Sequence, residues 1–166
     1  MPNKKTKKST LEGISFGVSN SIIGILGVLI GLAATGVKPF VEIGVVVFGV
    51  CTCLADASSM YISEESEYIH SKKELIKISI ETFVFEFLTL IAIAAPLFFL
   101  ELRFAIVVSF FIGVLLFFIL GYVVAEGDRR LKLKHIFPRY VLLVLIVATI
   151  SYFVGLLAVR FFGGML

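Results

Sequence analysis

Five stretches of about 20 residues, 13–37, 43–63, 82–100, 104–125 and 140–159, each carry either no charge or a single carboxylate. A run of that length spans the hydrocarbon of a bilayer as a helix, and five of them leave little chain for anything else. Composition agrees: 59% of the 166 residues are hydrophobic and 16% are charged, with no Trp, too apolar a mixture to cover a water-soluble core. The expected fold class is all-α, an integral membrane protein with five transmembrane helices. Residues 1–12 are expected as a basic cytoplasmic tail and residues 13–166 as a single transmembrane domain.

The basic residues set the orientation. Lys4, Lys5, Lys7 and Lys8, then Lys72, Lys73 and Lys77, then Arg129, Arg130, Lys132, Lys134 and Arg139 fall on one side of a five-pass reading, and Lys38, Arg103 and Arg160 on the other. Short loops rich in Lys and Arg stay in the cytoplasm, so the N-terminus is expected inside and the C-terminus outside. The net charge of +3 then reflects loops that face anionic lipid, and no nucleic-acid partner is expected. The Lys-rich start followed by an apolar run imitates a secretory signal, but the run is about twice the length of a signal core, and it reads as an uncleaved first helix.

The connections near 38–42 and 101–103 read as tight outer hairpins, and those at 64–81 and 126–139 as longer, charged inner segments. Pro39 and Pro138 stand where helices begin, whereas Pro96 lies inside the third span. Cys51 and Cys53, two apart on a helix, face different directions and read as reduced packing residues. The first span carries Gly13, Gly17, Gly24, Gly27 and Gly31. Small residues at such spacings let helix backbones approach closely in lipid, either within the chain or along a homodimer seam through the first helix.

Asp56 and Glu86 carry the chemistry. A carboxylate in hydrocarbon is costly unless it is neutralised, paired or wet. With ~1.5 Å of rise per residue, Asp56 lies about 6 Å, and Glu86 about 7 Å, to the cytoplasmic side of the middle of its span, with Asn20 at a similar level. Three oxygen-bearing side chains on three helices at one depth form a candidate cation site, to which Ser58, Ser59 and the Met60 thioether lie close in sequence. The competing reading of Glu86 is an interfacial carboxyl, protonated or bonded to nearby backbone. Beyond the membrane the second helix is expected to continue through Glu64, Glu65, Glu67, His70 and Glu74, which puts Glu67, His70 and Glu74 on one face as a cytoplasmic metal entry. A solvated charged helix paired with Lys72, Lys73 and Lys77 is the alternative.

The second-span run Gly-Val-Cys-Thr-Cys-Leu-Ala-Asp-Ala-Ser-Ser-Met-Tyr-Ile-Ser-Glu-Glu-Ser-Glu (49–67) resembles the small-residue segment of the vacuolar iron transporter family, with Tyr61, Ser66 and Glu67 matching its ending. Gly17-Val18-Ser19-Asn20-Ser21 resembles that family's Gly-Leu-Ser-Asp-Gly. Ala95-Pro96-Leu97-Phe98 resembles Ile-Pro-Leu-Leu, and Tyr152-Phe153-Val154-Gly155 resembles Tyr-Leu-Val-Gly. The resemblance runs helix by helix through nearly the whole chain. It implies a homodimeric five-helix exchanger of divalent metal for protons, with Fe2+ or Mn2+ as transported substrate exported from the cytoplasm and no prosthetic group. Two departures stand out: the family's first-helix Asp corresponds to Asn20, and its second-helix path Met to Asp56. Glu86 matches no motif residue, and the family's inserted cytoplasmic metal-collecting domain has no room here. Exchanging a thioether for a carboxylate favours cations that prefer oxygen, so Mn2+ is expected to suit the site at least as well as Fe2+. A cell membrane of a prokaryote is the expected location. No enzyme is expected, since neither a His-rich zinc pattern nor a nucleophile elbow is present. A membrane scaffold that keeps the fold without transport is the second reading.

Overall fold

The computed structural model describes residues 4–67, 71–127 and 133–162, with side chains described for 11–67, 71–126 and 137–161. The chain is all-helical there: α1 (Lys4–Ala33), α2 (Lys38–Ser66), α3 (Lys72–Phe99), α4 (Leu102–Gly127) and α5 (Leu133–Phe162). All five are long and apolar enough to cross a membrane. With 26 to 30 residues each, they reach roughly 40 Å or more and overhang a ~30 Å hydrocarbon layer. Backbone groups in lipid must be satisfied within the segment, which keeps sequences rich in Val, Ile and Gly helical.

The connections are shorter than the sequence implied. The first span passes into the second through residues 34–37, because Gly36 takes a left-handed φ of 70° and its N–H donates to Ala33 O at 3.0 Å, closing the end of α1. Val37 is then extended, and Pro39 sits in the first turn of α2, where its missing N–H costs nothing. The stretch expected as a tight outer hairpin from residue 38 is thus already helix. Helix α1 likewise starts at Lys4, so the expected tail is largely helical. Pro138 stands inside α5 and not at its start. Pro96 lies inside α3 as expected, and Ser109 of α4 donates to Ile93 O at 2.7 Å in the turn before it.

The expected run of α2 through Glu74 is replaced by two helices. Helix α2 ends at Ser66, with Glu67 as its C-cap. Helix α3 opens with a capping box: Glu74 N–H donates to Ser71 Oγ at 3.4 Å, and Ser71 N–H donates to Glu74 Oε2 at 2.9 Å. The Ser-Lys-Lys-Glu sequence is a helix start signal, and it overrides the face that continuous helical spacing would have produced.

Helix α1 is the axis of the bundle, packed against all four others, with further contact between α2 and α3, α3 and α4, and α4 and α5. Ile22, Ile25, Leu26 and Leu29 of α1 form the centre of the core with Ile93, Leu97 and Phe117. Glycines set the closest approaches. A Cβ on Gly13 would stand 2.9 Å from Ile78 O, and one on Gly17 2.5 Å from Thr82 O, so α1 and α3 meet backbone to backbone. Gly27 and Gly31 face Val147 and Ser151 of α5 instead. These four positions of the α1 stripe are therefore used inside the chain.

Candidate functional site

The α1–α3 contact determines what lies opposite what. Thr82 Oγ1 donates to Gly13 O at 3.3 Å and to Ile78 O at 3.0 Å, and Ser21 Oγ donates to Glu86 O at 3.1 Å. Helix α2 is tied to the same pair by Ser79 Oγ, which donates to Ala57 O at 2.6 Å. On α2 the buried stripe Val41, Val45, Gly49, Cys53 and Ala57 turns the neighbouring Thr52 and Asp56 toward the junction. Asn20, beside Ser21, completes it from α1.

At this junction Asn20 Nδ2 donates to Asp56 Oδ2. Glu86 is fully buried, and its carboxyl group faces Asp56, Thr52 and Asn20. Neither Glu86 Oε1 nor Oε2 completes a hydrogen bond of good geometry, although oxygen and nitrogen atoms stand on three sides. Thr52 donates its hydroxyl proton to Gly49 O at 3.0 Å, which leaves its oxygen lone pairs available. The Cys53 thiol, also fully buried, lies close enough to feel both carboxyl groups. Among the described residues no Lys or Arg forms an ion pair with Asp56 or Glu86; the nearest pair in sequence, Lys77 with Glu81 at 3.4 Å, belongs to the first turns of α3.

The structure thus brings together Asn20, Asp56 and Glu86, the three expected from depth alone. It also adds Thr52, one turn before Asp56, which sequence reading passed over. The signal was present, since residues 52 and 56 are four apart and share a helix face. Ser58 and Ser59 are exposed, Ser58 donating back to Leu54 O at 2.8 Å, so those hydroxyls do not reach the site. Met60, half-buried, lies one turn beyond Asp56. Glu64 and Glu67 stand near the end of α2, eight or more residues from Asp56 and so at least ~12 Å along the helix. Glu74 is committed to Ser71 at the start of α3. His70 lies outside the described residues. Among those described, no three His, Cys, Asp or Glu side chains gather at metal-ligand spacing, so a cation at the junction would rest on two carboxylates supplemented by the Asn20 and Thr52 oxygens.

The chain matches no family model, no curated protein and no solved structure. The junction's chemistry is therefore read from its own geometry.

Proposed function

We propose that this membrane protein transports divalent cations, Fe2+ or Mn2+, out of the cytoplasm in exchange for protons, with its N-terminus cytoplasmic. The observation that carries the reading is Glu86, whose two carboxylate oxygens are buried without hydrogen-bond partners beside Asp56. Two acids in one junction between apolar helices, with no Lys or Arg paired to either among the described residues, need either a visiting cation or protons to balance them. A divalent ion balances both at once. Asp56 and Glu86 would supply the charged oxygens, and Asn20 and Thr52 the neutral ones, a donor set suited to hard cations. Departure of the cation leaves charge that protons can replace, which links the two flows. The homodimer implied by the resemblance remains part of the proposal, although Gly13, Gly17, Gly27 and Gly31 face neighbours within the chain.

The test is metal flux into proteoliposomes with and without a pH gradient. Gradient-dependent uptake of Mn2+ and Fe2+ is expected for the native chain, with loss in Asp56→Asn and in Glu86→Gln. Flux that ignores both substitutions would overturn the reading. The hydrogen bond from Asn20 to Asp56 favours a second one, a non-transporting scaffold, because it ties one prospective ligand to another. A folded native protein with no flux above empty vesicles would support that alternative.

A further inference from the structure

The junction is closed toward the end of the bundle that holds the 34–37 turn, the outer end in the proposed orientation. A Cβ on Gly49 would overlap the Leu90 side chain and stand 3.0 Å from Ile25 Cδ1, so α1, α2 and α3 meet one turn beyond Cys53 and Glu86. About one turn further on, Leu29, Val45 and Ile93 are fully buried in the same core. From Glu86 to Ile93 the rise is about 10 Å, and a divalent cation does not cross that depth of apolar packing without water or ligands.

The fastening of α2 is uneven. Its inner half is tied by polar bonds, from Asn20 Nδ2 to Asp56 Oδ2 and from Ser79 Oγ to Ala57 O at 2.6 Å. Among the described residues no side-chain hydrogen bond or ion pair joins residues 38–51 to another helix; Lys38 pairs with Glu42, and Thr52 donates to Gly49 O, both within α2. The outer half is therefore held by apolar contacts alone. Around α1 the helices follow in the order α2, α3, α4, α5, each packed on the next, and the ring stays open between α5 and α2. A cavity of about 600 Å3 fills that opening, with Phe40 of α2 on one side and Ile150 and Val154 of α5 on the other. Room beside the outer half of α2 thus lies on the side away from α3.

We propose that Gly49 of α2, with Ile25 and Leu90, forms the outer gate of the junction. It opens when residues 38–51 swing around α1 into the cavity beside α5, which parts Gly49 from Leu90 and uncovers Cys53 and Glu86. The inference rests on the transport reading and names its moving part. Helices α1 and α3, in backbone contact at Gly13 and Gly17, and α4, bonded through Ser109 to Ile93 O, stay together as the fixed part.

The test reads Cys53, which is buried one turn inside Gly49. The Cys51→Ser chain is placed in vesicles in one orientation. A charged, membrane-impermeant methanethiosulfonate reagent is added only on the side of the 34–37 turn, with a thiol scavenger on the other. Modification of Cys53 is followed by mass spectrometry while Mn2+ flux is measured in the same vesicles. Cys53 is expected to be protected without Mn2+ and modified several-fold faster when Mn2+ and a pH gradient drive turnover. Leu90→Ala, which removes the side chain against Gly49, should unmask Cys53 several-fold even without Mn2+. Should that variant not fold, the comparison of resting and transporting Cys51→Ser protein decides the matter. Measurable flux with Cys53 equally protected at rest, during turnover and in Leu90→Ala would overturn the gate and leave transport standing. Absence of flux, with Cys53 unmasked in Leu90→Ala, would overturn the transport reading while supporting the closure at Gly49.

Discussion

Adding one methyl group at Gly17 is expected to separate α1 from α3 and to disturb the junction without touching any of its polar atoms. An alanine Cβ there would lie 2.5 Å from Thr82 O and 3.3 Å from Glu86 N, about 1 Å inside an ordinary contact. Both neighbours are backbone atoms in a helix and cannot rotate away, so the helices must move apart. Overpacking of this kind costs about 1 to 3 kcal/mol. The same movement stretches the hydrogen bonds from Thr82 to Gly13 O and from Ser21 to Glu86 O, each contributing about 0.6 kcal/mol in a membrane helix pair. Together Gly17→Ala should destabilise the fold by about 2 to 4 kcal/mol. Gly24→Ala is the control, because its Cβ meets only the Phe48 ring, at 3.5 Å; a change within about 0.5 kcal/mol is expected. The assay is reversible unfolding of the purified protein in mixed micelles by an increasing fraction of denaturing detergent, followed by far-UV circular dichroism. Equal stability of the two variants would refute the claim that α1 and α3 meet backbone to backbone at Gly17.

Glu86→Leu should stabilise the fold by about 1 to 3 kcal/mol, because it removes a buried carboxyl group without hydrogen-bond partners, while abolishing metal flux; a stability loss in the same unfolding assay would show that Glu86 is structurally satisfied. Ser71→Ala should cost about 1 kcal/mol through loss of the α3 capping box and leave Mn2+ flux unchanged, whereas a large fall in flux at unchanged stability would place Glu74 on the cation path. Maleimide reagents should modify Cys51 in detergent and leave Cys53 untouched until the protein is unfolded, since Cys51 is exposed and Cys53 buried. Rapid modification of Cys53 in the folded protein, read by mass spectrometry, would mean that the junction is wide open.

The positions of the spans, of Pro96 within one of them, and of Asp56, Glu86 and Asn20 at a common depth all follow from hydropathy and helical rise. These quantities are local: the bilayer averages over a run of residues, and 1.5 Å per residue converts sequence position into height. The rotation of each helix about its own axis is not local. It decided that Thr52, and neither Ser58 nor Ser59, accompanies Asp56, and that Gly13 and Gly17 serve α3 while Gly27 and Gly31 serve α5. Such rotations are settled by where small residues on one helix admit the backbone of another, a condition shared between segments up to 69 positions apart, as in the Thr82 to Gly13 hydrogen bond. The end of α2 is a different case, since the capping box at Ser71 and Glu74 is written in four consecutive residues and was outweighed by a helical spacing of acids that spans a break. Level along the bundle was therefore readable from the chain, and facing was decided only when the five helices packed.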